Sequence, residues 1–246
     1  MTKTTRRAFL TAAGLTGAAA AATAAQHYGL IPPDPGGAYG IGEILNYATH
    51  RLTSHAMARE FPESEISQVP FANETARPGD EFKRLEAARF AGWRLSIDGL
   101  VDHPQSLSLA EVKTLPAHSH VTHLACEEGW SYIARWTGVR VSHLLEKAGV
   151  RPQAKYLVYF SIEKDWWDSI DLDEAAHPQT LIAWGLNNAD LPAGNGGPLR
   201  MRVPRQLGYK NVKFITRLTL TDDLKKFGKG LGSASPEGGY AWYAGI

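Results

Sequence analysis

The sequence predicts an α+β domain, predominantly β, in which mixed sheets carry short helices. Several segments alternate apolar and polar residues with the period of a half-buried strand, as residues 93–99 and 199–203 do. Other segments place apolar residues at helical spacing, as residues 141–149 do. These strands and helices follow one another without a regular strand–helix–strand repeat, which argues against a doubly wound parallel sheet.

The predicted elements of residues 81–246, which we expect to form one large domain, follow in chain order. A strand at 93–99 ends in an Asp98-Gly99 turn, and Ser108 to Glu111 form a capping box that starts a helix ending before Pro116. Further strands are predicted at 121–126, 155–162, 180–186, 199–203 and 214–220, helices at 141–149 and 171–176, and a Gly/Ser-rich loop at 228–239.

Composition restricts the classes of function. The chain has 246 residues, of which 43% are hydrophobic, so it can bury a substantial core. Its 26 basic and 25 acidic residues nearly cancel, so the overall charge indicates neither a nucleic-acid surface nor a polybasic membrane patch. We therefore expect a small-molecule ligand.

Residues 1–25 are typical of an export signal. The Arg6-Arg7 pair precedes Phe9-Leu10 and a run rich in Ala and Gly, which predicts a cleaved twin-arginine signal peptide and a periplasmic protein. A membrane-anchoring helix is the less favoured alternative, because the run holds few strongly apolar residues. The twin-arginine route exports folded proteins, typically with their cofactor already inserted.

Residues 26–80 are predicted to be a linker followed by a segment that wraps over the main domain or over a cofactor. Residues 26–42 are rich in Pro and Gly, 41–61 favour a short helix, and 62–80 are polar and irregular. No internal repeat is present.

Cys126 is the only cysteine and lies at the end of an apolar run. It cannot form an internal disulfide, and a thiolate is a soft, strongly donating ligand for a transition metal. The alternative is a small buried hydrophobic residue. A second alternative is a zinc or copper site, because His118, His120 and Cys126 would share one face of a strand and His123 the other, although the spacing matches known zinc patterns poorly.

Around this cysteine the sequence resembles a known family. Cys126-Glu-Glu-Gly-Trp130 is followed by Trp136-Thr-Gly-Val139, and later blocks lie in the same order at 172–178, 195–200, 203–204, 208–213 and 239–244. Together they resemble the molybdopterin domain of the sulfite oxidase family, from about Trp93 to the C-terminus. The similarity is greatest to the exported bacterial branch that contains methionine-sulfoxide reductases.

The resemblance implies a molybdenum atom held by Cys126 and by the dithiolene sulfurs of one molybdopterin. An anionic cofactor of this kind needs cationic donors, for which Arg200, Lys210 and Lys213 are candidates. The positions that correspond to cofactor contacts in the family are Asn46, Ser161, Asn195, Arg200, Asn211, Val212 and Lys213, Asn46 aligning least well. Without the resemblance, 195–198 would be an ordinary turn, Arg200 and Arg202 a solvated strand face, and 208–210 a loop.

One position departs from the family pattern. Relatives often carry arginine three residues before the cysteine, whereas this chain has His123, which could gain charge near neutral pH and partly replace arginine. The carboxylates at 127, 128, 171, 173 and 174 are assigned no role, and no catalytic residue is assigned. Trp166, Trp167 and Trp184 are predicted to be core or pocket wall.

The expected function is oxygen-atom transfer by an exported molybdenum–pterin oxidoreductase, above all reduction of a sulfoxide such as methionine sulfoxide. The sequence has neither a haem-attachment motif nor iron–sulfur cysteines, so electrons must come from another protein, for which the resemblance suggests a membrane haem subunit. The alternatives are a sulfite dehydrogenase, which would need an arginine cluster at the metal, and a non-catalytic periplasmic metal-binding protein. The sequence does not place Arg135, Arg140 or Arg202 in such a cluster.

Overall fold

Two sheets form the body of the protein. The computed structural model describes residues 3–33, 40–73 and 78–246. One sheet has the strand order β2-β1-β10-β5-β6, and the other has the order β3-β4-β7-β8, with β9 paired to β7. The strands are β1 Arg94–Gly99, β2 Gln105–Ser108, β3 Ala117–Ala125, β4 Ser131–Arg140, β5 Tyr156–Ser161, β6 Trp167–Asp171, β7 Leu181–Leu186, β8 Ala189–Asp190, β9 Arg200–Arg202 and β10 Ile215–Thr221.

Apart from the first helix, the helices are short and lie around these sheets. They are α1 Lys3–His27, α2 Ile41–Leu52, α3 Gly79–Ala87, α4 Leu109–Thr114, α5 Val141–Ala148, α6 Leu172–Ala176 and α7 Ala234–Glu237. In the described ranges, no helix has the length and apolar character needed to cross a membrane. The first sheet is mixed, because β1 runs parallel to β10 and antiparallel to β2. The predicted α+β class with mixed sheets is therefore confirmed.

Local sequence signals fix several element ends. The Ser108 hydroxyl accepts a hydrogen bond from the Glu111 backbone N–H, and the Glu111 carboxylate accepts one from the Ser108 backbone N–H at 2.7 Å, which confirms the predicted capping box at α4. Helix α5 ends where Gly149 takes a left-handed φ of 65°, as its position after the apolar pattern predicted.

Four strands were not predicted: the short strands β2 and β8, and the longer strands β4 and β6. Strand β4 pairs with β3 on one side and β7 on the other, and Gly138 makes the second pairing possible, because a Cβ there would lie 2.2 Å from the Ile182 carbonyl oxygen. Strand β6 is buried along its whole length although it contains Asp168 and Ser169. A polar strand interior of this kind does not show as an apolar pattern. The predicted loop at 228–239 also contains the short helix α7.

Residues 58–73, which we call the strap, lie along the second sheet. The Phe61 N–H donates to the Val121 carbonyl at 2.9 Å, and the Ser67 N–H donates to the Ile133 carbonyl at 2.9 Å. These bonds place the strap against β3 and β4, so its last residues reach the end of β3, where Cys126 follows.

Lys210 is a structural residue, and the expectation that it is a cofactor donor is wrong. Its ammonium is fully buried, pairs with the buried Asp168 carboxylate, and donates to the Ser169 carbonyl at 2.7 Å and the Trp242 carbonyl at 2.8 Å. Three acceptors satisfy the three N–H groups of a lysine. The pair joins β6 to the C-terminal segment.

Replacing Asp168 with alanine should leave the Lys210 charge buried and unpaired. Removing one partner of a buried ion pair costs about 3–5 kcal/mol, so the Asp168→Ala variant should lose about that much free energy of unfolding in urea. The matched control is Asp80→Ala, because Asp80 pairs with Lys83 while its side chain is 98% exposed and should cost less than about 1 kcal/mol. Equal losses in the two variants would contradict this role of Lys210.

Candidate metal and cofactor site

A tight turn at the end of β3 holds Cys126. The Cys126 N–H donates to the Trp130 carbonyl at 2.9 Å, and the Gly129 N–H donates to the Cys126 carbonyl at 3.1 Å. Gly129 has a left-handed φ of 90°, which glycine adopts without strain. The turn fixes the direction in which the half-buried thiol leaves the sheet.

The surroundings of Cys126 suit a metal ligand better than a free nucleophile. Burial and then the neighbouring Glu127 carboxylate, whose Oε2 lies 3.2 Å from Sγ, raise the pKa of the Cys126 thiol to about 12. Reactive cysteines have a lowered pKa and lie near positive charge. A bound metal cation replaces the proton on a coordinating thiol, so a raised pKa is no obstacle to metal binding.

A cavity of about 440 Å³ opens in front of this thiol, and we call it the thiol cavity. A volume of this size is typical of a site for a small organic ligand. Its wall includes Cys126, Trp130, Arg200, Gly208, Val212 and Lys213.

Gly208 leaves room beside the thiol. A Cβ at this position would lie 3.1 Å from Cys126 Cα and 3.2 Å from Cys126 Sγ, which is closer than a side chain normally packs. Any larger residue at 208 would therefore crowd the sulfur. The alternative of an ordinary loop at 208–210 is wrong, because these residues form a buried 3₁₀ turn, and Gly208 and Tyr209 line the cavity.

Arg200 and Arg202 lie on one face of β9, as the alternation predicted, but the alternative of a solvated face is wrong. Both are buried, and their guanidinium carbons lie 5.6 Å and 5.1 Å from the centre of the Trp136 ring. Arg200 Nε donates to the Asn211 carbonyl at 2.9 Å, and Arg200 Nη1 donates to the Asn195 carbonyl at 2.9 Å.

These two guanidinium groups lack acidic partners. Within the described ranges, neither forms an ion pair with a carboxylate, and the buried Nε of Arg202 has no acceptor. Burial, and then the charge of the neighbouring Arg200, lower the pKa of Arg202 to about 9. Buried charge without a counter-charge is costly, so an anion bound in the thiol cavity next to Arg200 would relieve this cost.

Lys213 is a second cation in the cavity wall. Its ammonium donates to the Gly194 carbonyl at 2.8 Å and to the Asn73 carbonyl of the strap at 3.0 Å. Burial, and then the charge of Arg200, lower the pKa of Lys213 to about 8. Gly196 lets this side chain pass, because a Cβ there would lie 2.7 Å from Lys213 Cγ.

The other predicted site residues have different positions. Val212 and Asn211 line the thiol cavity, but the Asn211 side-chain oxygen accepts from Arg202 at 2.9 Å and from the Val203 N–H at 2.8 Å, so it holds the loop together. Asn195 donates to the Phe71 carbonyl of the strap at 3.2 Å. The Ser161 hydroxyl accepts from the N–H of Glu163, and Glu163 lines the cavity.

Asn46 lies apart from the thiol cavity. It is in α2, its side chain donates to the Gly245 carbonyl at 3.4 Å, and it lines a second cavity. Its role as a cofactor contact remains a prediction.

The histidines of β3 do not form a metal site with Cys126. Among the described residues, no group of three His, Cys, Asp or Glu side chains is placed to hold a metal. Both ring nitrogens of the buried His120 are occupied, one 2.9 Å from the Gln179 carbonyl and the other 3.2 Å from the Thr122 hydroxyl. The zinc or copper alternative therefore lacks a ligand set here.

The expectation that His123 gains charge near neutral pH is also wrong. Burial and the charge of Arg202 lower the pKa of His123 below its usual value, so the ring is neutral at pH 7. The positive charge next to position 123 comes from Arg202 of β9, whose Nη2 donates to the His123 carbonyl at 2.6 Å.

Two further wall residues, Glu128 and Asn73, were assigned no role from the sequence. Glu128 accepts from the Trp130 ring nitrogen at 2.7 Å and from the strap residue Asn73 at 3.1 Å, which closes the strap onto the turn that carries Cys126. Trp166, predicted to be core or pocket wall, lines the thiol cavity. The strap contacts join positions far apart in the sequence, so no local pattern indicates them.

Comparison with known proteins gives a consistent assignment. A family model described as "oxidoreductase molybdopterin binding domain" matches residues 83–227. The chain is 36% identical over 189 residues to a candidate protein-methionine-sulfoxide reductase subunit, YedZ1, of Azospira oryzae, covering 77% of this chain and 68% of that protein.

Two further similarities extend this result. The chain is 32% identical over 160 residues to the protein-methionine-sulfoxide reductase catalytic subunit MsrP of Xanthomonas campestris, covering 59% of this chain and 50% of that protein. The crystal structure of the sulfane dehydrogenase SoxCD from Paracoccus pantotrophus shares the fold, with a TM-score of 0.52 and 22% identity over 62% of this chain and 40% of that one. The chain thus spans about half the length of the MsrP relative.

Lys213 should contribute to cofactor retention. Replacing it with glutamine removes a cation from the cavity wall, and a hydrogen bond to a charged group contributes about 1.5–3 kcal/mol, so pterin affinity should fall about ten- to a hundredfold. The measurement is molybdopterin per chain after dialysis, from the fluorescence of the oxidised pterin.

The matched control is Lys164→Gln, because Lys164 lines the same cavity but is exposed to solvent. It should retain the parent's pterin content. Equal retention by both variants would show that Lys213 does not hold the cofactor.

Proposed function

This chain belongs to the molybdopterin-binding oxidoreductases, and from that premise we propose that it reduces a sulfoxide, with methionine sulfoxide as the substrate. Its cofactor is molybdenum bound to molybdopterin. The overall reaction consumes one sulfoxide, two electrons and two protons, and yields one thioether and one water.

The described residues fit this cofactor. A thiol with no disulfide partner lies beside a cavity of about 440 Å³, and the backbone of Gly208 leaves space next to its sulfur. Arg200 and Lys213 bring positive charge to the same wall, and Arg200 has no carboxylate partner within the described ranges. A soft sulfur donor and nearby cations are what a metal with an anionic organic ligand requires.

Each group in the wall has a role that follows from its contacts. Cys126 would hold the metal, and Arg200 and Lys213 would hold the anionic parts of the pterin. The bound cofactor supplies two-electron oxygen-atom transfer. Trp130 lines the cavity and packs against Phe71 of the strap with ring centres 4.9 Å apart.

The observation that carries the proposal is the thiol cavity at Cys126 in a chain similar to proteins named methionine-sulfoxide reductase subunits. The absence of an arginine cluster from the described wall favours a sulfoxide, whose reacting group is uncharged, over sulfite. Of the described arginines only Arg200 lines the cavity. Arg135 instead pairs with Glu63 of the strap, and Arg202 donates to the His123 carbonyl of β3.

The electron donor would be a separate subunit. The MsrP relatives are named catalytic subunits, a name that implies a further subunit in those proteins. The single cysteine excludes haem attachment through a Cys-x-x-Cys-His motif in this chain. A membrane haem protein in the same compartment is the partner that we propose.

The compartment that we propose is the periplasm, reached by the twin-arginine route. The basis is the Arg6-Arg7 pair ahead of the Ala-rich run in residues 1–25. This route carries a folded, cofactor-loaded protein, which suits a cofactor held among buried residues.

Turnover should distinguish the two enzyme candidates. With a reduced artificial electron carrier, the purified holoenzyme should reduce methionine sulfoxide, and with an oxidised carrier its rate on sulfite should be at least about a hundredfold lower in kcat/KM. Faster sulfite oxidation than sulfoxide reduction would replace our proposal with the sulfite dehydrogenase. Activity on neither substrate, with molybdenum present, would leave the non-catalytic alternative.

Export should depend on the arginine pair. Replacing Arg6 and Arg7 together with lysine keeps the charge but removes the twin-arginine pattern. We expect the mature protein to disappear from the periplasmic fraction and a longer precursor to accumulate in the cytoplasm, as measured by immunoblotting of the fractions. Unchanged periplasmic yield would contradict this route.

A further inference from the structure

A second cavity of about 440 Å³ adjoins the thiol cavity. It lies between the first turns of α2 and the C-terminal residues 240–245. Glu127 and Tyr209 line both cavities, so they form the partition between them. We call it the tyrosine cavity, because its wall includes Tyr209, Tyr240 and Tyr243, together with Glu43, Asn46 and Glu127.

The two cavities differ in charge. The described wall of the tyrosine cavity contains two carboxylates, Glu43 and Glu127, and no Lys, Arg or His. The wall of the thiol cavity contains three cations, Lys164, Arg200 and Lys213, and three carboxylates, Glu127, Glu128 and Glu163, so its formal charges balance. The charged groups of the tyrosine cavity are all negative, so this cavity favours a cation.

The aromatic walls point to an organic cation rather than a metal ion. The Tyr209 and Tyr240 rings are 5.2 Å apart at an angle of 41°, so together they form a corner. The Tyr209 hydroxyl donates to the Ala241 carbonyl at 2.7 Å, which fixes that ring, and Tyr243 packs against Tyr47 with ring centres 5.0 Å apart. Fixed aromatic rings attract alkylammonium groups through their π electrons.

The two carboxylates play different parts. Glu43 is buried and accepts from the Tyr243 N–H at 3.0 Å, so part of its charge is used inside the protein. Glu127 is exposed, and its Oε2 lies 3.2 Å from Cys126 Sγ. A cation held by Glu127 would therefore sit next to the atom that we expect to carry the metal.

We propose that the tyrosine cavity binds an alkylammonium group of the substrate and so favours cationic over anionic sulfoxides. The choice of substrate rests on the proposed function, whereas binding of the cation does not. Glu127 and the rings of Tyr209 and Tyr240 bind the positive charge of the substrate. The sulfoxide group of the same substrate extends past Glu127 and Tyr209 into the thiol cavity.

Binding can be measured without turnover, using three probes of nearly equal shape. Choline is a cation, 3,3-dimethylbutan-1-ol is its neutral analogue, and 3,3-dimethylbutanoate is an anion. Isothermal titration of the holoenzyme should show choline binding about tenfold or more tighter than the alcohol, and the anion binding more weakly still.

Variants locate this binding. Tyr240→Ala and Glu127→Gln should each weaken choline binding about three- to tenfold. The matched control is Tyr28→Ala, because Tyr28 is another exposed tyrosine, outside both cavities, and its loss should leave binding unchanged. If the alcohol binds as tightly as choline, if choline does not bind, or if both cavity variants bind like the parent, the inference is overturned.

Substrates then connect binding to selectivity. Methionine sulfoxide methyl ester is a cation, N-acetylmethionine sulfoxide amide is neutral, and N-acetylmethionine sulfoxide is an anion. The kcat/KM values should fall in that order, by about tenfold or more from cation to anion, and Glu127→Gln should reduce the difference. Equal values would overturn the inference and leave the proposed function standing; failure to reduce any of them while choline still binds would overturn the function alone.

Discussion

The close approach of the Gly208 backbone to Cys126 is the constraint on which the site depends. A turn after β3 positions the thiol, and the buried 3₁₀ turn at Gly208–Lys210 faces it so closely that a Cβ at position 208 would crowd Cys126. Lys210, the last residue of this turn, pairs with the buried Asp168, so its ammonium is not available to a ligand. The turn that forms this wall is thus held by contacts inside the protein, and the space in front of the sulfur is kept free.

The distribution of buried charge separates structure from function. Lys210 has a carboxylate partner, whereas Arg200 and Arg202 have none in the described part of the chain. A buried cation that pairs internally stabilises the fold, and one that does not pair is suited to hold an external anion. By this criterion Arg200 is suited to hold the cofactor, as we propose for it and for Lys213, and Lys210 is not, although all three lie in the same Gly-rich stretch of sequence.

Sequence reasoning succeeded where the determining interactions are local. The α4 capping box, the Gly149 helix stop and the alternation of β9 depend on neighbours within a few residues, and each is present. It failed where the determining partner is distant in the sequence. The buried Asp168 of strand β6 pairs with Lys210. Burial and the charge of Arg202 lower the pKa of His123. The strap contacts the turn that carries Cys126 through the hydrogen bond between Asn73 and Glu128. Cys126 was identifiable because it is the only cysteine, whereas Gly208 was not, because a close contact across the fold leaves no local pattern.

The most direct test of the account is X-ray absorption at the molybdenum edge, which counts the sulfur atoms bound to the metal. The chain and its Cys126→Ser variant should both be purified from cells that synthesise molybdopterin. The account predicts that the parent shows the dithiolene sulfurs plus one thiolate, and that the variant loses one sulfur neighbour or fails to retain molybdenum. An unchanged sulfur count in a fully loaded variant would contradict it.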